Sequence, residues 1–413
     1  MLNFKSFLKE ETDLLLERAL SQDLESDDKG KLHELLLAKH LHSDTQLPLH
    51  HRSESENEEH AGTPQQVHDR LMKKVGKDAY DEIDAHAKNT AEAFKKHLQE
   101  QGHIGDHAHI GDVHWTSNAD KPNSPGDHFK TVKDANGNGV SDPNSNADLI
   151  LTLKNKEGKT VGYHGVSAKY GSNEPNYRNP GLDSMEKTAG IEKGSLKALT
   201  DAHHKHMESL GYNGSADQKN IQYKIDKMGI DKARMEHAKL QGIAATGKTL
   251  SKKNKIMHEH LGKFIDGHDS LKPKEQAEYL HTSNARFNAA ESSSRDAKTA
   301  VAKQFHAGLS NKSDSELRDI IRQHVSAPTH IPHSVAHSKV KADGSSEPVI
   351  KSSHSIADEH LANATDLYTE HQGSTVVIKG KHPVTKKPVR VATFAIKSSS
   401  GPHKSLVGTF GLK

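Results

Sequence analysis

Apolar and polar positions alternate most regularly between Pro64 and Gln101, where Val67, Leu71, Val75, Tyr80, Ile83, Ala87, Ala91, Phe94 and Leu98 recur every three to five residues. That is the period of one buried helix face, and it predicts a single long helix. Upstream, Phe4, Phe7 and Leu8, then Leu14 to Leu16, then Leu32, Leu35 and Leu36 predict two short amphipathic helices over residues 1–40. The polar run LHSDTQLPLHHRSESENEEHAG between them and the long helix reads as a linker.

Past the helix the period changes to two. Asp112-Val-His-Trp-Thr116 predicts a short strand. Asn146-Ala-Asp-Leu-Ile-Leu-Thr-Leu-Lys154 and Thr160-Val-Gly-Tyr-His-Gly-Val-Ser-Ala-Lys-Tyr170, with Gly158-Lys159 between them, predict a hairpin. Asp148 opens its first strand. On the second, Ser167 and Lys169 share one face while Val166 and Ala168 point the other way. Residues 183–330 are helical in pattern, broken by Gly211, Gly229 and Gly242, and residues 327–355 read as a His/Pro/Ser loop. Strands return at Ser374–Lys379 and Pro388–Lys397, and the closing SSSGPHKSLVGTFGLK holds one more. Neither strand region carries much apolar surface by itself, so the expectation is one sheet that the late strands complete.

Composition narrows the functional classes. With 32% hydrophobic and 4% aromatic residues, much of the 413-residue chain is expected to be solvated helix, loop or tail. Lys and Arg number 57 against 55 acids, so any attraction to nucleic acid has to come from a local patch. Such a patch is offered by residues 219–263, with roughly eleven Lys/Arg against about four acids. The absence of cysteine excludes disulfides, thiolate zinc sites and a cysteine nucleophile. No apolar run is long enough to span a bilayer, and no membrane partner is expected.

The strand–turn–strand bearing Asp148 and Ser167-Ala-Lys169 resembles the core of the PD-(D/E)XK nuclease superfamily. That resemblance implies an αβββαβ restriction-endonuclease-like core, with Mg²⁺ or Mn²⁺ held by Asp148 and a second acid, and with Lys169 orienting the attacking water. Ser167 stands where the second acid belongs, and a hydroxyl is a much weaker ligand for a hard cation. Either another acid has moved in, with Asp142, Asp81 and Glu82 as candidates, or the site is impaired. The flanking Val113-His-Trp-Thr-Ser117 and Arg178-Asn-Pro-Gly-Leu182 are similar to segments around this hairpin in proteins of large tailed bacteriophages. The start, Met1-Leu-Asn-Phe-Lys-Ser-Phe-Leu-Lys-Glu10, resembles the capsid-targeting peptide of internal head proteins. That resemblance implies a prohead protease cutting after Glu10, with Glu17 as a second position.

Other motifs carry less. Gly242-Ile-Ala-Ala-Thr-Gly-Lys-Thr249 satisfies a phosphate-loop pattern, but what precedes it is polar and helical where a buried strand is needed. Asp134-Ala-Asn-Gly-Asn-Gly-Val-Ser-Asp142 begins like a calcium loop, yet Ser145 replaces the closing Glu and Pro143 interrupts it. His103, His107, His109 and His114 could converge on zinc. Since histidines, 33 in all, occur in every segment, solvated surface is the expectation for them.

The sequence thus predicts an α/β protein with a restriction-endonuclease-like mixed sheet core, a helical N-terminal extension and a helical insertion. The boundaries are 1–10 for the capsid-targeting propeptide, 11–62 for helical extension and linker, and 63–185 for the nuclease-like core. Residues 186–330 form the basic insertion, and 331–413 hold strands completing the sheet. The expected function is metal-dependent DNA cleavage by a protein packaged in a phage head and delivered into the host cytoplasm. The alternative is a non-enzymatic internal head protein that binds DNA or a host protein.

Overall fold

A computed structural model describes residues 26–42, 46–48, 63–115, 147–173, 175, 177, 179–245, 250, 252–325, 331–398 and 406–413. The chain forms two compact units, Met1–Pro175 with Ile321–Glu359, and Asn176–Ile320 with His360–Lys413.

The first unit opens with α1 (Ser26–His42), α2 (Pro64–Val75) and α3 (Lys77–Glu100). The single long helix expected over 64–101 is two helices. Thr63 caps α2 with a capping box and Pro64 starts it, but Gly76 adopts φ 80° and ψ 166°, outside helical space, and ends it. The apolar periodicity continues across the break because both helices bury one stripe against the same layer. Strands β1 (His109–Trp115), β2 (Leu149–Lys154) and β3 (Thr160–Gly171) form an antiparallel meander. β4 (His333–Val340) then runs parallel to β3, and β5 (Ser346–Ser352) closes the sheet antiparallel in the order β1-β2-β3-β4-β5. Helix, three antiparallel strands and a later strand parallel to the third make the mixed restriction-endonuclease-like sheet that the hairpin implied.

Alternation sorts the faces of this sheet. Val113, Trp115, Leu149, Leu151, Val166, Ala168 and Ala336 pack with Leu32, Leu36, Leu71, Ile83 and Phe94 of the helices. The opposite face carries Ile150 and Ala147 against Ile331 and Tyr163. The region read as a loop over 327–355 therefore supplies β4 and β5. In β4 Ser334 and Ser338 face the helices and His337 the other side, all three buried among only two apolar neighbours, Val335 and Ala336, so hydrophobic periodicity did not mark the strand.

The second unit contains α4 (Leu182–Ala189), α5 (Ser195–Ser209), α6 (Ala216–Met228), α7 (Ile230–Ala245), α8 (Lys252–Asp269), and the 37-residue α9 (Pro273–Leu309). α10 (Asp314–Val325) and α11 (Ser353–Ala362) straddle the division between the units. The late strands do not complete the first sheet. β6 (Thr365–Gln372), β7 (Thr375–Lys381), β8 (Pro388–Ser398) and β9 (Leu406–Leu412) make a separate antiparallel sheet of four. Val376, Val377, Ile378, Phe394 and Phe410 are fully buried in it, and Phe305 of α9 meets Phe394 edge-on at 5.0 Å. The strands and α9 together supply the apolar surface that the strands alone appeared to lack.

Inside this unit Asp226 of α6 is buried and accepts from Arg286 Nε (2.7 Å) and Nη2 (2.6 Å) and from Ser283 Oγ (2.7 Å) on α9. The guanidinium also stands over the Tyr212 ring at 5.5 Å. A buried carboxylate is tolerated because a forked cation and a hydroxyl saturate it. Gly242 lies within α7, so the phosphate-loop pattern begins on a helix and its close, 246–249, falls outside the described residues.

Candidate functional site

Asp148 stands one residue before β2, where the ladder to β3 is about to end. Its N–H donates to the Val166 carbonyl (2.8 Å), and its Oδ2 accepts from the Ala168 N–H (2.9 Å). The carboxylate thus occupies the place of the next ladder acceptor. The same Oδ2 lies 3.3 Å from Ser167 Oγ, which donates to it, and 3.5 Å from Lys169 Nζ. The hairpin therefore brings all three predicted residues to one point, on the face opposite the helices. The Lys169 and Asp148 side chains keep 23% and 22% of their surface open, so the ion pair is within reach of solvent, whereas Ser167 is buried.

The proposed second acids do not join them. Asp81 and Glu82 lie exposed on α3, which packs on the other side of the sheet, and a strand's alternation keeps those carboxylates away from Ser167 and Lys169. Asp142 is outside the described residues, as are Glu10, Glu17 and the calcium-loop-like segment 134–142. The four early histidines do not converge either. His107 and His109 are exposed, His103 meets the ring of His164 at 5.0 Å, and His114 is buried opposite Ile150 of β2.

A hard divalent cation needs about six oxygen ligands, usually with more than one carboxylate. Among the described residues the site offers one carboxylate, one oxygen of which already serves three donors, and a hydroxyl. No group of three or more His, Asp or Glu among the described residues could hold a metal. The described donor set therefore does not fit Mg²⁺ or Mn²⁺.

One neighbour escaped sequence reasoning. His333 opens β4 in register with Gly165 of β3, and a Cβ on Gly165 would lie 2.8 Å from its ring carbon Cδ2. Nδ1 shares a hydrogen bond with Ser353 Oγ at the start of α11, and Nε2 has no partner among the described residues. Burial first, and then the charge of Lys169, push His333 down to about 4, so it is neutral at pH 7. The only sequence signal was the alternation Ile331, His333, Val335, His337, concealed by its polar members.

No family model matches the chain, and no curated protein does. Among solved structures, it is similar to the restriction endonuclease MspI in complex with its cognate DNA, at 11% identity and a TM-score of 0.28, covering 84% of this chain and 91% of that one. A likeness that distant says nothing of function.

Proposed function

We propose that the chain acts on DNA as a weakened phosphodiester hydrolase whose working centre is Asp148 with Lys169. The observation that carries this reading is the convergence of a carboxylate and an ammonium at 3.5 Å, both partly open, from adjacent strands of a mixed sheet with nuclease-like order. Phosphodiester hydrolysis builds negative charge on the phosphate oxygens, and an ammonium fixed beside them stabilises it. Asp148 holds Lys169 in place and is the group suited to take a proton from the attacking water. Ser167 supplies a hydroxyl where a second acid would add charge, which makes the centre weak.

The test is incubation of purified protein with supercoiled plasmid in Mg²⁺, Mn²⁺ or EDTA, beside Asp148→Asn and Lys169→Ala. Slow nicking that falls by roughly 10²–10³ in Lys169→Ala, the scale of losing one fixed electrostatic contact, is the expected result. Wild-type nicking that neither substitution alters would remove the assignment.

A specific observation favours a second reading. Asp148 Oδ2 is fully engaged by Ser167, Ala168 and Lys169, as a purely structural ladder cap would be. On that reading the protein binds DNA or a host protein without cutting, and retention of a DNA duplex without nicking, unaffected by either substitution, is its signature. Both readings place the protein inside a phage head, delivered to the host cytoplasm with the genome, after a prohead protease cuts at Glu10. The support is the sequence resemblance of residues 1–10, and a mature N-terminus at Glu11 in virion-derived protein is the matching result.

A further inference from the structure

On the helix-facing side of the first unit's sheet, polar rings occupy positions that are normally apolar, and they gather in two clusters. In one, His33 of α1 shares a 2.7 Å hydrogen bond between its Nε2 and Ser338 Oγ of β4, and the same hydroxyl meets Thr90 Oγ1 of α3. The Tyr170 ring of β3 lies 5.0 Å from His33 and 6.0 Å from His86 of α3. In the other, His164 of β3 and His97 of α3 both reach Ser334 Oγ of β4, at 3.0 and 3.3 Å, with His103 packed 5.0 Å from the His164 ring. Val166, Ala168 and Ala336 separate the two.

His33 and His164 are 0% and 1% exposed, and Nδ1 of each has no hydrogen-bond partner among the described residues. The groups that face them are poorly suited to a positive charge. His33 meets His86 from α3 and Tyr170 from β3 and feels the charge of His337 from the far face of the sheet, with only Glu34 of its own helix opposing. That carboxylate is already shared by Lys31 and the indole N–H of Trp115. His164 meets His97 from α3 and His103 beyond it and feels the charge of His333 from the far face of the sheet, and Glu100 touches the cluster only through His97. A proton entering either cluster therefore finds neighbours that compete for it.

We propose that these two buried histidine clusters make the first unit an acid-triggered conformational switch, closed at neutral pH and opened when the rings take up protons. Burial, the largest cause, pushes His33 down to about 3 despite Glu34, and holds His164 well below its ordinary value, with His97 and His103 lowered as well. In an opened chain the imidazoles return to about 6.5. The open form thus binds protons that the closed form refuses. The stability these rings permit is complete above about pH 6.5 and is lost as pH falls toward the closed-state values. Two such rings lower the closed-to-open ratio by up to about a hundredfold per pH unit in that window.

Trp115, the only tryptophan of the sequence, sits fully buried in the same core, so its emission reports on this unit. The experiment follows Trp115 fluorescence of the full chain through urea titrations at pH 6.5 and 5.5, for wild type and for His33→Gln/His164→Gln. Glutamine can still share a hydrogen bond with Ser338 or Ser334 and cannot take a proton. Expected is a loss of about thirtyfold in the folding constant of wild type over that unit, about five- to sixfold from each ring, and less than tenfold in the double variant. A wild-type loss below tenfold overturns the proposal, and so does a folded double variant that titrates like wild type. Should the double variant not fold, the wild-type figure decides by itself.

Discussion

At the scale of single residues, Asp148 combines two tasks that substitutions can separate. Its Oδ2 ends the β2–β3 ladder by accepting the Ala168 N–H, and it also holds the Lys169 ammonium. Asp148→Asn keeps an oxygen acceptor and loses the charge. Asp148→Ala loses both and leaves a partly buried N–H unpaired, a cost of about 1–3 kcal/mol. Chemical denaturation should therefore find Asn close to wild type and Ala destabilised by that amount, while both abolish any nicking. The partly open ion pair itself contributes about 0–1 kcal/mol, too little to confuse the comparison. Sequence alone placed Asp148, Ser167 and Lys169 together because strand alternation is a rigid rule. It did not place His333, because a histidine beside serines has no apolar signature, even where the fold buries it.

At the scale of elements, legibility followed chemistry. The hairpin, β7 and β8 are rich in Val, Ile, Leu and Phe, and Val113 and Trp115 mark β1, so their period of two was visible. β4 was read as loop because Ser334 and Ser338 on one face and His337 on the other are buried polar groups, satisfied by hydrogen bonds that only the assembled helices and strands supply. The join between α2 and α3 was missed for the opposite reason: the apolar stripe runs through it, and only the backbone at Gly76 departs from helical space. The clamp between α6 and α9 gives a prediction of this scale. Asp226→Ala strands the Arg286 guanidinium against Tyr212 and Ser283, and breaking one side of such a pair costs about 3–5 kcal/mol. A loss of that size in thermal or urea unfolding of the second unit's helices, followed by far-UV circular dichroism, is the expected outcome. A change under 1 kcal/mol would show that the clamp contributes little.

For the molecule as a whole, a formal net charge of +2 means that attraction to DNA has to be local. Along 219–263 several cations are engaged, Lys219 with Glu208, Arg234 with Asp269 and Lys263 with Glu259. Lys224, Lys232 and Lys255 are exposed on α6, α7 and α8 and are the ones suited to track phosphates. Each contact made by such a lysine releases counterions, so replacing one with alanine should reduce the slope of log affinity against log salt by about 0.9. Fluorescence anisotropy with a duplex at several salt concentrations measures it, and an unchanged slope for all three would move the DNA surface elsewhere. The order of the sheet has a further effect on how the chain is made. β3 and β4 lie side by side although residues 172–332 separate them. During synthesis a ribosome must deliver that whole interval before β3 finds its parallel neighbour. Until then the nascent protein presents an open strand edge, the kind of surface on which chains aggregate and chaperones act.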